Sequence, residues 1–281
     1  MTIANPSCDP STEGNRLRLL EHFGGEGPPA NDRWAALWDA GDFLPWDQGV
    51  PNPALVDVMK DRQDLIGATA LVEDGAECRR KRALVPGCGR GYDVLLLSSL
   101  GYDAYGLEVS SKAVEDAGSW AKQHGNDYPV RDESVGRGKI RFVVGDFFDD
   151  LWMAQADGVE KFELIYDYTF FCALAPPVRP ACARRFCHLL SSLPGSVMIC
   201  VEFPTFKALS QGGPPYAMPS PVYVAHLGHP GKEIPYDEAG IPKESCEGGG
   251  PGLQRVGHWK AVRSHPMGKN TDWVSVWKHA E

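Results

Sequence analysis

Apolar and polar positions along this chain alternate between two periods. From residue 83 onward, short apolar runs at Ala83 to Pro86, Asp103 to Glu108, Ile140 to Val144, Phe162 to Tyr166 and Gly195 to Phe203 read as buried strands. Between them, Gly91 to Leu100, Ser110 to His124 and Val178 to Leu190 carry helical spacing, the second of these with Ser110 or Ser111 as its cap. This alternation predicts βαβ units and an α/β fold on a mostly parallel, doubly wound sheet. Leu253 to Val262 and Asp272 to Lys278 read as two extended segments joined through a His-Pro-Met-Gly turn region, which predicts a closing antiparallel hairpin.

Ahead of residue 83 the pattern is helical. Arg16 to Phe23 suits one amphipathic helix, ended by Gly24-Gly-Glu-Gly-Pro-Pro29. Asn31 or Asp32 is the expected cap of a helix through Ala40, and Asn52-Pro53 opens another through about Arg62. Residues 1–30 are therefore expected as a partly mobile leader and 31–281 as a single domain, with 31–65 as an N-terminal helical cap. Two segments look inserted: polar Asn126 to Lys139, and Gly228 to Gly252, rich in Gly, Pro and Glu and expected as a surface excursion or lid. No internal repeat is visible.

Composition narrows the function classes. A chain of 281 residues with 43% hydrophobic content can bury a full core. No apolar stretch is long enough to span a membrane, and Met1 to Pro10 lacks the pattern of a signal peptide. The eight cysteines are scattered without a CxxC pair, so no metal site is expected and a reduced, cytoplasmic protein is. The formal net charge of −9 disfavours nucleic acid and other polyanions. The run Arg79-Arg80-Lys81-Arg82 reads as a solvated beginning to the first core strand. A monomer or weak homodimer acting on a small molecule is expected.

The chemistry concentrates at strand ends. Ala83-Leu-Val-Pro-Gly-Cys-Gly-Arg-Gly91 leads an apolar run into a turn with glycines at 87, 89 and 91, and Glu108 closes the next run 17 positions after the last of them. Gly87 and Gly89 permit close backbone approach to a nucleoside-bearing cofactor, and the Glu108 carboxylate can grip two ribose hydroxyls. The spacing is GxGxG, not the GxGxxG of nicotinamide enzymes, which argues against a dehydrogenase. Asp146 and Phe147, after the third strand, suit an adenine amino group and a stacked ring. Asp167 and Tyr168 end the fourth strand and fall in the ligand crevice of such a sheet. Tyr216, in the loop Gly212-Gly-Pro-Pro-Tyr216, is placed to offer a hydroxyl at the substrate mouth. Trp34 and Trp38 share a helical face, with Trp46 close by. Such rings either cage a cation such as a sulfonium, at about 0.5–2 kcal/mol per contact, or pack as the core of a cap. Cys88 is expected to bury against the helix after the turn. Cys172, Cys182, Cys187 and Cys200 read as small core residues, and His258 and His265 as packing or hydrogen-bonded groups more than bases.

Taken in order, Trp34-x3-Trp38, Leu44-Pro-Trp46-Asp47, Val85-Pro-Gly-Cys-Gly-Arg-Gly-Tyr-Asp93, Gly145-Asp-Phe-Phe148, Tyr166-Asp-Tyr-Thr-Phe-Phe171 and Gly212-Gly-Pro-Pro-Tyr216 resemble the thiopurine S-methyltransferase superfamily, from about residue 31 to 227. Within it they are closest to the halide and thiol (thiocyanate) methyltransferases of plants and fungi. The resemblance implies a class I methyltransferase (Rossmann-like) seven-stranded sheet with an N-terminal cap, and S-adenosyl-L-methionine as cofactor. It implies cofactor contacts at Trp34, Trp38, Trp46, Gly87, Glu108, Asp146 and Phe147; the strand-end reading adds Gly89 and Asp167. The expected reaction is in-line transfer of a methyl group to a small soft nucleophile: a halide, hydrosulfide, thiocyanate or small thiol. Asp167, Tyr168 and Tyr216 would shape the acceptor end. The alternatives are an S-, O- or N-methyltransferase acting on a larger secondary metabolite, and a cofactor-binding protein without catalysis.

Overall fold

The computed structural model describes residues 10–67, 70–74, 77–238, 240–243 and 251–280. In chain order the elements are α1 (Pro10–Phe23), α2 (Ala30–Ala40), α3 (Pro53–Asp61), α4 (Gln63–Ile66), β1 (Leu71–Asp74), β2 (Glu77–Arg80), β3 (Arg82–Pro86), α5 (Tyr92–Ser99), β4 (Asp103–Glu108), α6 (Ser111–His124), β5 (Ile140–Val144), β6 (Leu164–Asp167), α7 (Arg179–Leu189), β7 (Val197–Glu202), α8 (Ser220–Gly228), β8 (Leu253–Lys260) and β9 (Trp273–His279). β1 and β2 form a separate two-stranded sheet; the other seven form one sheet in the order β5-β4-β3-β6-β7-β9-β8. β9 runs antiparallel to both its neighbours, and the remaining pairings are parallel. The expected doubly wound, mostly parallel sheet with a C-terminal antiparallel hairpin is what the chain forms.

Strand alternation builds the two cores. Ala83 and Val85 point into one, with Leu164, Tyr166, Ile199 and Val201; there they meet Leu55 and Val58 of α3 and Val94 and Leu97 of α5. Leu84, Ile165, Met198 and Cys200 point to the other face and meet Phe186 of α7 and Val222 and Tyr223 of α8. With both faces covered, the central strands read as continuous apolar runs. Strand order reverses between β3, whose chain crosses to β4, and β6 on its other side, so a crevice opens at the carboxyl ends of these strands.

Several local expectations are corrected. α2 begins at Ala30 after Pro29, without a side-chain cap, because Asn31 and Asp32 already lie inside the helix. Ser110 caps α6 by accepting from the Ala113 N–H, and Asn52 caps α3 by accepting from the Ala54 N–H. The basic run is no solvated strand start. Arg79 pairs with the buried Glu163 at 3.0 Å, Arg80 donates to the Gly101 and Gly136 carbonyls, and Lys81 is buried. The β1–β2 hairpin folds back on the body and gives these cations internal partners. Cys88 lies against Gly106 of β4, where an added Cβ would come within 2.7 Å of the sulfur, and packs on the apolar cluster that includes Val94 and Leu97 of α5. α8 was not visible in the hydrophobic pattern. Residues 126–139 do form a loop, held down where Arg137 and Arg131 donate to the Tyr128 and Met59 carbonyls. Among the described residues no helix is long and apolar enough to cross a membrane.

Candidate functional site

The crevice at the strand ends is a cavity of about 610 Å³. It is built around the turn between β3 and α5, where Gly87, Gly89 and Gly91 have φ of +60°, +51° and +75°. Those left-handed angles suit glycine alone at low cost. The missing side chains also let two rings close on the turn. A Cβ on Gly87 would lie 2.7 Å from Phe170, and one on Gly89 3.2 Å from Trp38.

Glu108, at the end of β4, is only 6% exposed. One of its oxygens accepts from the Gly89 N–H at 3.1 Å, and the other from the Val109 and Ser110 N–H groups at 2.8 and 3.3 Å. Burial raises its pKa and these three donors pull it back down. The carboxylate is thus held rigidly in the cavity wall. At the end of β5, Asp146 accepts from the Phe148 N–H at 2.8 Å and from the Asn31 side-chain amide at 2.7 Å.

The N-terminal segment closes over this edge. Trp34 and Trp46 meet at 5.2 Å between ring centres, and Trp38 and Trp46 at 6.1 Å. Asp47 pairs with Arg90 and accepts from the Tyr92 hydroxyl at 2.7 Å, which latches the cap to the glycine turn. The Arg90 guanidinium stands 6.0 Å from the Trp38 ring centre. The tryptophans thus both pack the cap and line the cavity.

Of the residues expected here, Trp34, Trp38, Trp46, Gly87, Gly89, Glu108, Asp146 and Phe147 line the cavity together. Asp167, Tyr168 and Tyr216 do not form its wall. Asp167 is buried beneath it and accepts from the Phe171 N–H at 2.9 Å. Burial pushes its carboxyl up to about 7, with the charge of Glu202 adding to the shift. Tyr168 packs against Phe203 and His265 with its hydroxyl toward Ser264. Tyr216 folds its ring against Gly213. His258 bonds Glu202 and Ser220 and stacks on Trp273.

Other wall residues were not anticipated. Glu13, Asn15, Arg16 and Leu19 bring α1 into the wall, so this helix belongs to the site. No described residue of 229–252 reaches the wall; Tyr236 there bonds His226 and packs against Arg179. Cys172 is buried as expected but lines the cavity. Thr169, at the end of β6, adopts φ +62°, a strained angle for a β-branched residue. Asn31 had a readable signal, since it shares the helical face of Trp34 and Trp38 at i, i+3 and i+7. Replacing Asn31 by alanine is expected to weaken cofactor binding about tenfold, because a hydrogen bond to a carboxylate is worth ~1.5–3 kcal/mol and part of it positions Asp146. A titration of the variant that matched the wild type would show that Asp146 holds its place unaided.

A family model described as thiopurine S-methyltransferase matches residues 29–233. The chain is 34% identical over 231 residues to a probable thiol methyltransferase 2 of Arabidopsis thaliana, covering 81% of this chain and 84% of that protein. It is 30% identical to thiocyanate methyltransferase 1 of Brassica oleracea, over 82% and 84% of the two chains. Among solved structures, a SAM-dependent methyltransferase from Anabaena variabilis superposes with a TM-score of 0.51 at 17% identity, over 92% of this chain and 98% of that one.

Proposed function

Since this chain belongs to the thiopurine S-methyltransferase family and is an S-adenosylmethionine-dependent methyltransferase, we propose that it methylates a small soft nucleophile (halide, hydrosulfide, thiocyanate or a compact thiol) by in-line displacement. The cofactor's binding requirements fit the residues present. Gly87 and Gly89, in left-handed backbone, bring bare main chain into the cavity wall, and Glu108 offers a fixed carboxylate for the ribose. Asp146 and Phe147 would take the adenine, and Trp34, Trp38 and Trp46 would line the edge beside them. When bound, S-adenosylmethionine supplies a methyl group activated by a sulfonium.

The observation that carries the choice of acceptor is the chemistry of the remaining wall. It is dominated by Phe170, Cys172, Leu174, Phe203, Phe206 and Met267, and the described wall contains neither histidine nor tyrosine. Such a surface strips water from a nucleophile and confines its approach, which speeds a reaction that solvation slows. With neither histidine nor tyrosine in it, the described wall suits a nucleophile that has no proton or has already lost it. At 610 Å³ the cavity lies within the ~300–1,000 Å³ of ordinary ligand pockets, and a nucleoside-bearing cofactor takes up much of it. A compact acceptor fits what is left.

The test is parallel turnover with iodide, hydrosulfide, thiocyanate and thiophenol, with volatile products read in the headspace. Methylation of at least one of the three small inorganic anions is expected. Turnover confined to bulky organic acceptors would overturn the reading.

A further inference from the structure

The charged groups of the wall are sorted by position. The carboxylates Glu108 and Asp146 stand at the ends of β4 and β5. Across the crevice, Arg16 of α1, Lys207 in the loop after β7, and Lys269 just before β9 stand on the acceptor side, with Glu13 as the one carboxylate among the described wall residues there. Glu13 is taken: it binds the Arg16 guanidinium through both oxygens. Lys269 is exposed. Lys207 differs from both. It is half-buried in a wall it shares with Cys172, Phe203, Phe206, Pro214 and Pro215, and its ammonium donates to the Pro215 carbonyl. Among the described residues no carboxylate forms an ion pair with it. An ammonium has three protons, so two remain for another partner.

A half-buried cation with no carboxylate in ion-pair contact is costly, and the cost falls when an anion enters beside it. We propose that Lys207 seats the methyl acceptor as a monoanion, which makes charge a determinant of specificity in this enzyme. This rests on the acceptor reading above and deepens it. The apolar surroundings favour weakly hydrated anions such as thiocyanate, iodide or a thiolate, which lose less on leaving water than hard anions do. Fixing the ammonium on a backbone carbonyl lets it hold the anion without moving to quench it.

The groups facing Lys207 are Arg16 and Glu13 from α1 and Cys172 from the segment after β6. Burial, aided by Arg16, lowers its pKa to about 8, while Cys172 and Glu13 act the other way. Burial holds the Cys172 thiol protonated. The seat therefore loses its charge as pH rises through about 8.

The experiment titrates sodium thiocyanate, by calorimetry at constant ionic strength, into protein saturated with S-adenosylhomocysteine. Wild type, Lys207→Gln and Lys207→Arg are compared. At pH 7, Lys207→Gln is expected to bind thiocyanate at least about tenfold more weakly, Lys207→Arg within about threefold, and all three to bind S-adenosylhomocysteine alike, which shows the fold intact. Wild-type affinity is expected to fall roughly tenfold from pH 7 to pH 9, with no such fall in either variant. Thiocyanate affinity unaffected by Lys207→Gln, no thiocyanate binding to the wild type, or a flat wild-type pH profile would each overturn the assignment. Turnover of thiocyanate by the wild type separates this from the acceptor reading. Turnover with binding indifferent to Lys207 removes the seat and leaves the acceptor class standing. Lysine-dependent binding without turnover of any small nucleophile does the reverse.

Discussion

Glu108→Ala is expected to weaken S-adenosylmethionine binding by about 100- to 1,000-fold, which corresponds to ~3–4 kcal/mol lost with two charge-assisted hydrogen bonds. The carboxylate ends β4 inside the cavity wall and is held by three backbone donors, so as a ribose partner it would need little further ordering. Those same bonds give it a structural share, because its loss frees the Gly89 N–H at the cofactor turn. Glu108→Gln separates the two roles. It keeps an acceptor for the turn but puts an amide where a ribose hydroxyl would donate. Calorimetric titration of the cofactor and thermal melts on both variants give the answer. Should the glutamine variant bind normally, the role of Glu108 would be to shape the turn.

Asp167→Asn is expected to stabilise the protein at pH 8, by on the order of 2–4 kcal/mol, and to leave it unchanged below pH 4. The Asp167 carboxyl is 1% exposed, and burial pushes its pKa from 3.8 up to about 7. A carboxyl raised in the folded state binds protons that the unfolded state has released. Its contribution is full below pH 4 and is lost as pH rises to about 7, at ~1.4 kcal/mol for each pH unit crossed. Asparagine carries no such charge and still accepts from the Phe171 N–H. The gain over wild type should therefore grow between pH 4 and 7 and then level off. His226 and His265, pushed down to about 4 by burial, work in the opposite sense, since stability from them rises with pH up to about 6.5. Comparing variant with wild type at each pH cancels that background. Melts that differ equally at pH 4 and pH 8 would show that Asp167 is not a buried, uncompensated acid. The segment Thr169 to Phe171 hangs from this residue, which suits a positioning role below the cavity better than contact with the acceptor.

Much of the site was legible before any tertiary contact was known. Gly87, Gly89, Glu108, Asp146 and Phe147 fall at strand ends, and strands announce themselves by short apolar runs. A parallel sheet turns those ends into one wall, so spacing along the chain translates into proximity. Asp167 and Tyr168 obey the same rule yet lie beneath the wall, because the chain turns at Thr169 with a positive φ and presents Thr169 and Phe170 to the cavity instead. No residue pattern announces a β-branched residue at that angle.

The βαβ order, the two faces of each strand and the glycine turn at 87–91 are written in the chain itself. These follow from nearest-neighbour stereochemistry and from the alternation of side chains along a strand. Contacts across the fold alone reveal that α1 walls the cavity, that Arg79 answers the buried Glu163, and that among the described residues Lys207 has no carboxylate in ion-pair contact. Each of those depends on which residue far away in the chain comes to lie beside a charged group. Local periodicity carries no record of such partners, whereas the low dielectric of the folded interior makes them decisive.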